Sequence, residues 1–157
     1  FNYATFRLSG APYSFSQTTI SLIFLVYAFG VVSSSIAGSL ADRFGKRPLM
    51  LSGFIIMGLG ILCTLANPII AIIAGVILVT TGFFITHSVT SGCVGPTAGE
   101  NKGHAASLYL LFYYMGSSII GSVGGWFWLH GGWSAIVSLT LVFAVIGSIL
   151  SLVQIKH

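Results

Sequence analysis

Apolar residues in this chain run in long unbroken stretches instead of alternating with polar ones. The first stretch, TISLIFLVYAFGVVSSSIAGSLA, covers 19–41. Others follow at about 48–66, 68–91, 105–128 and 133–154, and residues 1–8 read as the end of a preceding one. Each of the five is near the roughly 20 residues that carry a helix across a bilayer's hydrocarbon core. A membrane barrel would instead show segments of about ten residues with alternating polarity. The pattern therefore predicts an all-α membrane protein, a multi-span helical bundle. The connections at about 42–47, 66–68, 92–104 and 129–132 are short, which makes neighbouring helices antiparallel.

Composition supports lipid as the main solvent. Of 157 residues, 55% are hydrophobic and 5% charged, against about 25% charged in soluble domains. Six basic residues stand against two acidic ones. These are too few for a nucleic-acid surface, and no basic stripe is interleaved with aromatics. Cys63 and Cys93 lie far apart with no ligand-spaced partner, so they read as inert thiols. The chain opens on Phe1, with no basic segment leading into a short apolar core. It is expected to be a fragment whose amino-terminal portion is missing.

Lysine and arginine orient the bundle. With antiparallel spans, Arg43, Lys46, Arg47, Lys102 and Lys156 fall on one side, and Arg7 on the other. Cytoplasmic loops are the ones enriched in Lys and Arg. Loops 42–47 and 92–104 and the carboxyl terminus are thus expected to be cytoplasmic. Trp126, Trp128 and Trp133 cluster near the opposite face, as aromatic side chains do at headgroup depth. Small residues recur at four-residue spacing, with Gly30, Ser34 and Gly38 in one span and Ser117, Gly121 and Gly125 in another. Such stripes let helices approach closely in lipid.

The charge concentrates in GSLADRFGKRP, residues 38–48. Gly38 is small on a helix's last turn. Asp42 sits at the helix C-terminus, the unfavourable end of the dipole for an anion, and calls for a compensating partner. Gly45 permits positive φ. Lys46 and Arg47 suit headgroups, and Pro48 suits the first turn of the next helix. This stretch resembles the short cytoplasmic-loop signature of the major facilitator superfamily, G-x-L-a-D-r-x-G-r-k. In that family the signature follows the second helix and in many members recurs after the eighth. The span two helices later bears no arginine here, and GSSIIGSVGG lacks the Gly-Pro pair of drug antiporters. The second copy therefore fits better. The chain then resembles the C-terminal six-helix half of a major facilitator fold, with its first helix truncated, running from the end of helix seven through helix twelve. Bacterial drug and sugar efflux permeases are the nearest group, to which NKGHAASLYLLFYYMGSSIIGSVGGWFW is also similar.

The resemblance implies a secondary active transporter of a small solute working by alternating access, expected to be proton-coupled and to export. It implies residence in the bacterial inner membrane and partnership with the lipid bilayer and the missing N-terminal six-helix half. Gly38, Asp42, Arg43, Gly45, Lys46 and Arg47 would form a conformational latch. An alternative is a non-transporting membrane module that binds a partner. No nucleophile–base set, phosphate loop, cofactor site or metal site is legible, and no enzyme is expected.

Candidate residues of a substrate or proton path follow from their positions. No carboxylate lies within a span, and His87 is the histidine placed inside one. Histidine is the side chain that changes charge in the physiological range, so His87 reads either as a neutral hydrogen-bonded residue or as part of that path. Tyr109, Tyr113 and Ser117 share one helix face, and Tyr27 sits mid-span. Each tyrosine fits either helix packing or a path lining. Asn2, Tyr3 and Arg7 lie in the opening stub, with Arg7 expected to snorkel outward slightly sooner than to meet an anion.

Overall fold

Three glycines set where the helices turn back. In the computed structural model, which describes residues 2–154 (backbone only at Asn2 and Gln154), Gly45, Gly99 and Gly132 have φ of 91°, 56° and 58°. A β-carbon is strained in that region, so glycine fits each reversal without cost from a side chain. Lys156 lies outside the described residues, as does the side chain of Asn2.

Helix α1 spans Asn2–Ser9. A helical run then covers α2 (Gln17–Ile23), a short 3-10 turn (Phe24–Val26) and α3 (Tyr27–Phe44). Ser16 starts it by accepting the Thr19 amide at 3.2 Å, a cap that satisfies one of the orphan donors of the first turn. Gly45 alone separates α3 from α4 (Lys46–Cys63), and its amide donates to the Ala41 carbonyl at 3.0 Å. Helix α5 spans Ile69–Ala98. Residues 92–98, expected as half of a connection, are its last turns, despite Pro96 inside them. Only a 3-10 turn, Gly99–Asn101, separates it from α6 (Lys102–Gln154). Gly132 breaks α6 into two arms, 102–131 and 133–154.

Contacts fix the directions. Gly30 meets Phe84, and Ser88 Oγ donates to the Ser34 carbonyl at 3.3 Å, so α3 and α5 run parallel. Phe54 meets Gly147 and Trp133 meets Thr64, so α4 and the 133–154 arm run antiparallel. One end, here the charged end, gathers 42–47 and 99–102. The other, the tryptophan end, gathers 10–16, 64–68 and Gly132. Small apolar cores lie toward each. Leu8, Ile20, Val26, Ile72 and Val76 form one at the tryptophan end. Ala37, Ala41, Leu49, Met50 and Val89 form the other.

The tightest seam joins α4 to α5. Gly53 faces Gly82 and Gly60 faces Gly75, each pair seven residues from the next. A methyl on Gly60 would lie 2.7 Å from the Gly75 carbonyl oxygen, and one on Gly75 would lie 2.7 Å from that of Gly60. The backbones touch with nothing between them, which is how helices gain packing in lipid. The four-residue stripes do less within this chain. Gly38 and Gly121 have no neighbour within 4 Å of a built β-carbon.

Much of the remaining surface is apolar, including Leu25 at 70%, Ile70 at 78% and Val153 at 71% exposed, as a lipid-facing exterior requires. Hydroxyls inside helices bond to their own backbone, as Thr80 does to Val76 at 2.8 Å and Thr90 to Thr86 at 2.7 Å. This local satisfaction spares polar groups from facing hydrocarbon alone. Among the described residues no buried side-chain polar atom lacks a partner.

Candidate functional site

Helix α5 carries two packed faces. Gly75, Gly82 and Thr86 turn to α4. Phe83, Phe84 and His87 turn toward α3 and the 102–131 arm, where three of the expected tyrosines meet them. The Tyr109 hydroxyl and His87 Nδ1 share a 2.9 Å hydrogen bond. The His87 ring stands 5.0 Å from that of Tyr113 and stacks on Phe83 at 5.6 Å. Tyr27 comes in from α3, edge-on to Phe84 at 6.2 Å. Phe83 and Phe84 join the two halves at 5.4 Å. Tyr27, His87, Tyr109 and Tyr113 thus form one aromatic wall drawn from three helices.

The chemistry of that wall is amphipathic. Its rings offer apolar and π surface, and its hydroxyls and imidazole offer donors and acceptors. Tyr109 donates to an unprotonated Nδ1 and accepts from a protonated one, so the pair survives either tautomer. His87 is half-buried, and its Nε2 has no hydrogen-bond partner among the described residues.

Ser117 lies one turn beyond Tyr113 on the same arm. It lines a cleft with Tyr3, Gly121, Gly124 and Thr140 rather than the His87 wall. The Tyr3 hydroxyl donates to the Gly121 carbonyl. Its ring fills the space a side chain at Gly124 would need, 2.7 Å from the built β-carbon. The stub therefore packs through tyrosine into the glycines of the 102–131 arm.

Arg7 does not snorkel outward. Its guanidinium donates to the carbonyls of Thr64 and, at 3.1 Å, Ala66. It lies 5.0 Å over the Trp133 ring, and Trp133 Nε1 donates to the Thr64 carbonyl at 3.0 Å. The physical reason is helix α4's C-terminus, where carbonyls lack intrahelical partners and the dipole end is negative. A cation finds more there than at a water interface. Tyr13 extends the clasp, its hydroxyl donating to the Asn67 carbonyl at 2.5 Å.

At the charged end Gly38, Asp42, Arg43, Gly45 and Lys46 are exposed and Arg47 is half-buried. Arg43 lies over the neighbouring Phe44 ring at 5.2 Å. Asp42 makes no ion pair or side-chain hydrogen bond among the described residues. Both cysteines are free thiols.

Two features escaped sequence reading. The Gly53/Gly60 and Gly75/Gly82 seam is signalled by seven-residue spacing in both helices, a different period from the four-residue one looked for. The Arg7–Thr64–Trp133 clasp joins positions 57 and 69 residues apart and leaves no local signal.

Spanning helices joined by tight reversals, with a charged loop at one end and a partly exposed amphipathic wall, are the build of a helical membrane protein. Residues 5–156 match the Major Facilitator Superfamily, and the chain belongs to that family. It is an integral membrane protein of a family whose relatives are named as transporters. It is 40% identical over 157 residues to an "Uncharacterized transporter" of Buchnera aphidicola subsp. Baizongia pistaciae, covering 100% of this chain and 39% of that one. It is 44% identical over 149 residues to "Inner membrane transport protein YnfM" of Escherichia coli, covering 93% and 36%. To the "Uncharacterized MFS-type transporter YybF" of Bacillus subtilis it is 42% identical over 139 residues, covering 88% and 34%. The chain thus spans less than two-fifths of the length of these relatives. No solved structure matches it.

Proposed function

We propose that this chain is the carboxyl-terminal half of a secondary active transporter. It exports a small solute by alternating access in exchange for protons across the bacterial inner membrane, with its charged end in the cytoplasm. The observation that carries the reading is the convergence of Tyr27, His87, Tyr109 and Tyr113 from three helices onto one amphipathic wall. Such a wall suits a solute with both apolar and hydrogen-bonding parts. Carriers of this class bind substrate between two halves near the bilayer midplane, and the relatives' greater length leaves room for the second half. His87 is the proton-binding group on this side, paired with Tyr109. Tyr3 and Ser117 extend the path along the 102–131 arm, with Asn2 next to Tyr3 in sequence, while Arg7 anchors the helix that carries Tyr3.

The test is transport in vesicles. The full-length protein, given a panel of sugars and drugs, moves at least one against its gradient when a proton gradient is imposed. His87→Gln lowers that rate about tenfold and removes its dependence on the gradient, and Tyr109→Phe does so less. Stable insertion with no solute movement would instead support a partner-binding membrane module.

Asp42 completes the proposal as a latch. An exposed carboxylate at the C-terminal end of α3 is held against the dipole, and a cation or helix N-terminus of the other half compensates it. Asp42→Asn removes a charge-assisted hydrogen bond, commonly about 1.5–3 kcal/mol, so transport falls roughly tenfold or more. Unchanged transport, with an unchanged balance of inward- and outward-open forms by spin-label distances, would refute the latch.

A further inference from the structure

We infer that a cleft at the charged end, between α4, α5 and the 133–154 arm, is a binding site for an anionic phospholipid. Helix α4 and the last arm meet at the cap residue Thr64 against Trp133 and again at Phe54, whose ring lies where a side chain at Gly147 would begin. Past Phe54 they part. The open cleft between them holds about 630 Å³, lined by Met50, Phe54, Cys93, Val94, Leu150 and Ser151 among others. That volume lies within the roughly 300–1,000 Å³ typical of ligand sites.

The walls define an apolar occupant. Their hydroxyls are already committed to backbone, Ser151 to Ser148 at 2.7 Å, Thr97 to Cys93 at 2.8 Å and Thr90 to Thr86 at 2.7 Å. A polar solute would find few donors there and lose its hydration. An acyl chain loses nothing. The outer faces of the flanking helices are hydrocarbon-facing, with Ile55 58% and Val145 56% exposed, so the cleft is fed from the bilayer.

The rim defines a negative headgroup. Arg47 stands one turn beyond Met50 on α4, and Lys102 one turn before Ala105, which also lines the cleft. Neither is ion-paired among the described residues. Arg43 and Lys46 add to the same end, and only Asp42 and Glu100 oppose them among its described side chains. Basic pockets between membrane helices select acidic headgroups in this way.

The site is independent of the transport reading, because lipid retention is measured without a transported solute. Native mass spectrometry of the protein, in detergent containing equal phosphatidylglycerol and phosphatidylcholine, should show one phosphatidylglycerol retained in preference. Arg47→Gln and Lys102→Gln should each weaken that preference about fivefold, the effect of one basic group near an anionic lipid surface, and together abolish it. Cys93→Phe should displace either lipid while the thermal unfolding temperature is kept. Equal retention of both lipids by the unaltered protein would overturn the inference. So would a phosphatidylglycerol preference that survives the double charge variant, or competition by soluble glycerol phosphate, which would mark a site for free anions.

Discussion

Gly82→Ala should destabilise the bundle by about 2–3 kcal/mol, whereas Gly58→Ala on the partner helix should leave it unchanged or slightly more stable. The two substitutions add the same methyl to a helix interior. At Gly82 that methyl would lie 2.6 Å from the Met57 amide nitrogen and closer still to the Gly53 carbonyl oxygen. Backbone atoms cannot rotate aside, so α4 and α5 must separate. Overpacking of a close-packed site costs about 1–3 kcal/mol, and the upper part of that range applies because the obstacle is backbone. At Gly58 nothing lies within 4 Å, and alanine gains up to about 1 kcal/mol of helix propensity over glycine. Denaturant titration of the protein in detergent gives both values. Equal stabilities would mean that the α4–α5 seam is looser than its glycines require.

Arg7→Gln should cost about 3 kcal/mol, and Arg7→Lys should recover less than half. The guanidinium serves two carbonyls and one indole face at once. A hydrogen bond to a charged group contributes about 1.5–3 kcal/mol, and a cation over an aromatic ring about 0.5–2 kcal/mol. Lysine keeps the charge but not the planar fork, so it cannot reach Thr64 and Ala66 while lying flat on Trp133. Unfolding of the three proteins, with a double-mutant cycle against Trp133→Leu, gives the coupling between the guanidinium and the indole. Full recovery by lysine would reduce the clasp to a point charge near a helix end.

What could be read in advance was what depends on neighbours in sequence. Continuous apolar runs mark helices because a bilayer demands about 20 residues of them. Gly45 was legible as a turn because its flanks were. The tyrosines of the 102–131 arm were placed on one face by their four-residue spacing, and two of them do meet His87. The partners Phe83 and Phe84 were not legible, because a phenylalanine in a membrane helix resembles any lipid-facing one until the neighbour is known. The end of α5 was misjudged for a different reason. Gly92, Gly95, Pro96 and Gly99 favour a loop by composition, yet α5 runs on as helix to Ala98, past the roughly 20 residues that cross the hydrocarbon core. Arg7 was misread because its acceptors are main-chain carbonyls, which carry no letter in a sequence.

The double glycine contact between α4 and α5 also bears on how the chain can deform. One point of contact would allow two rods to swing about it. Two points seven residues apart, about 10 Å along the helix, remove that freedom and leave a strut. Any bending of the bundle then falls to elements held apart by side chains, α3 with its 3-10 turn and the two arms jointed at Gly132. The α4–α5 pair would carry force from one membrane face to the other without changing its own shape.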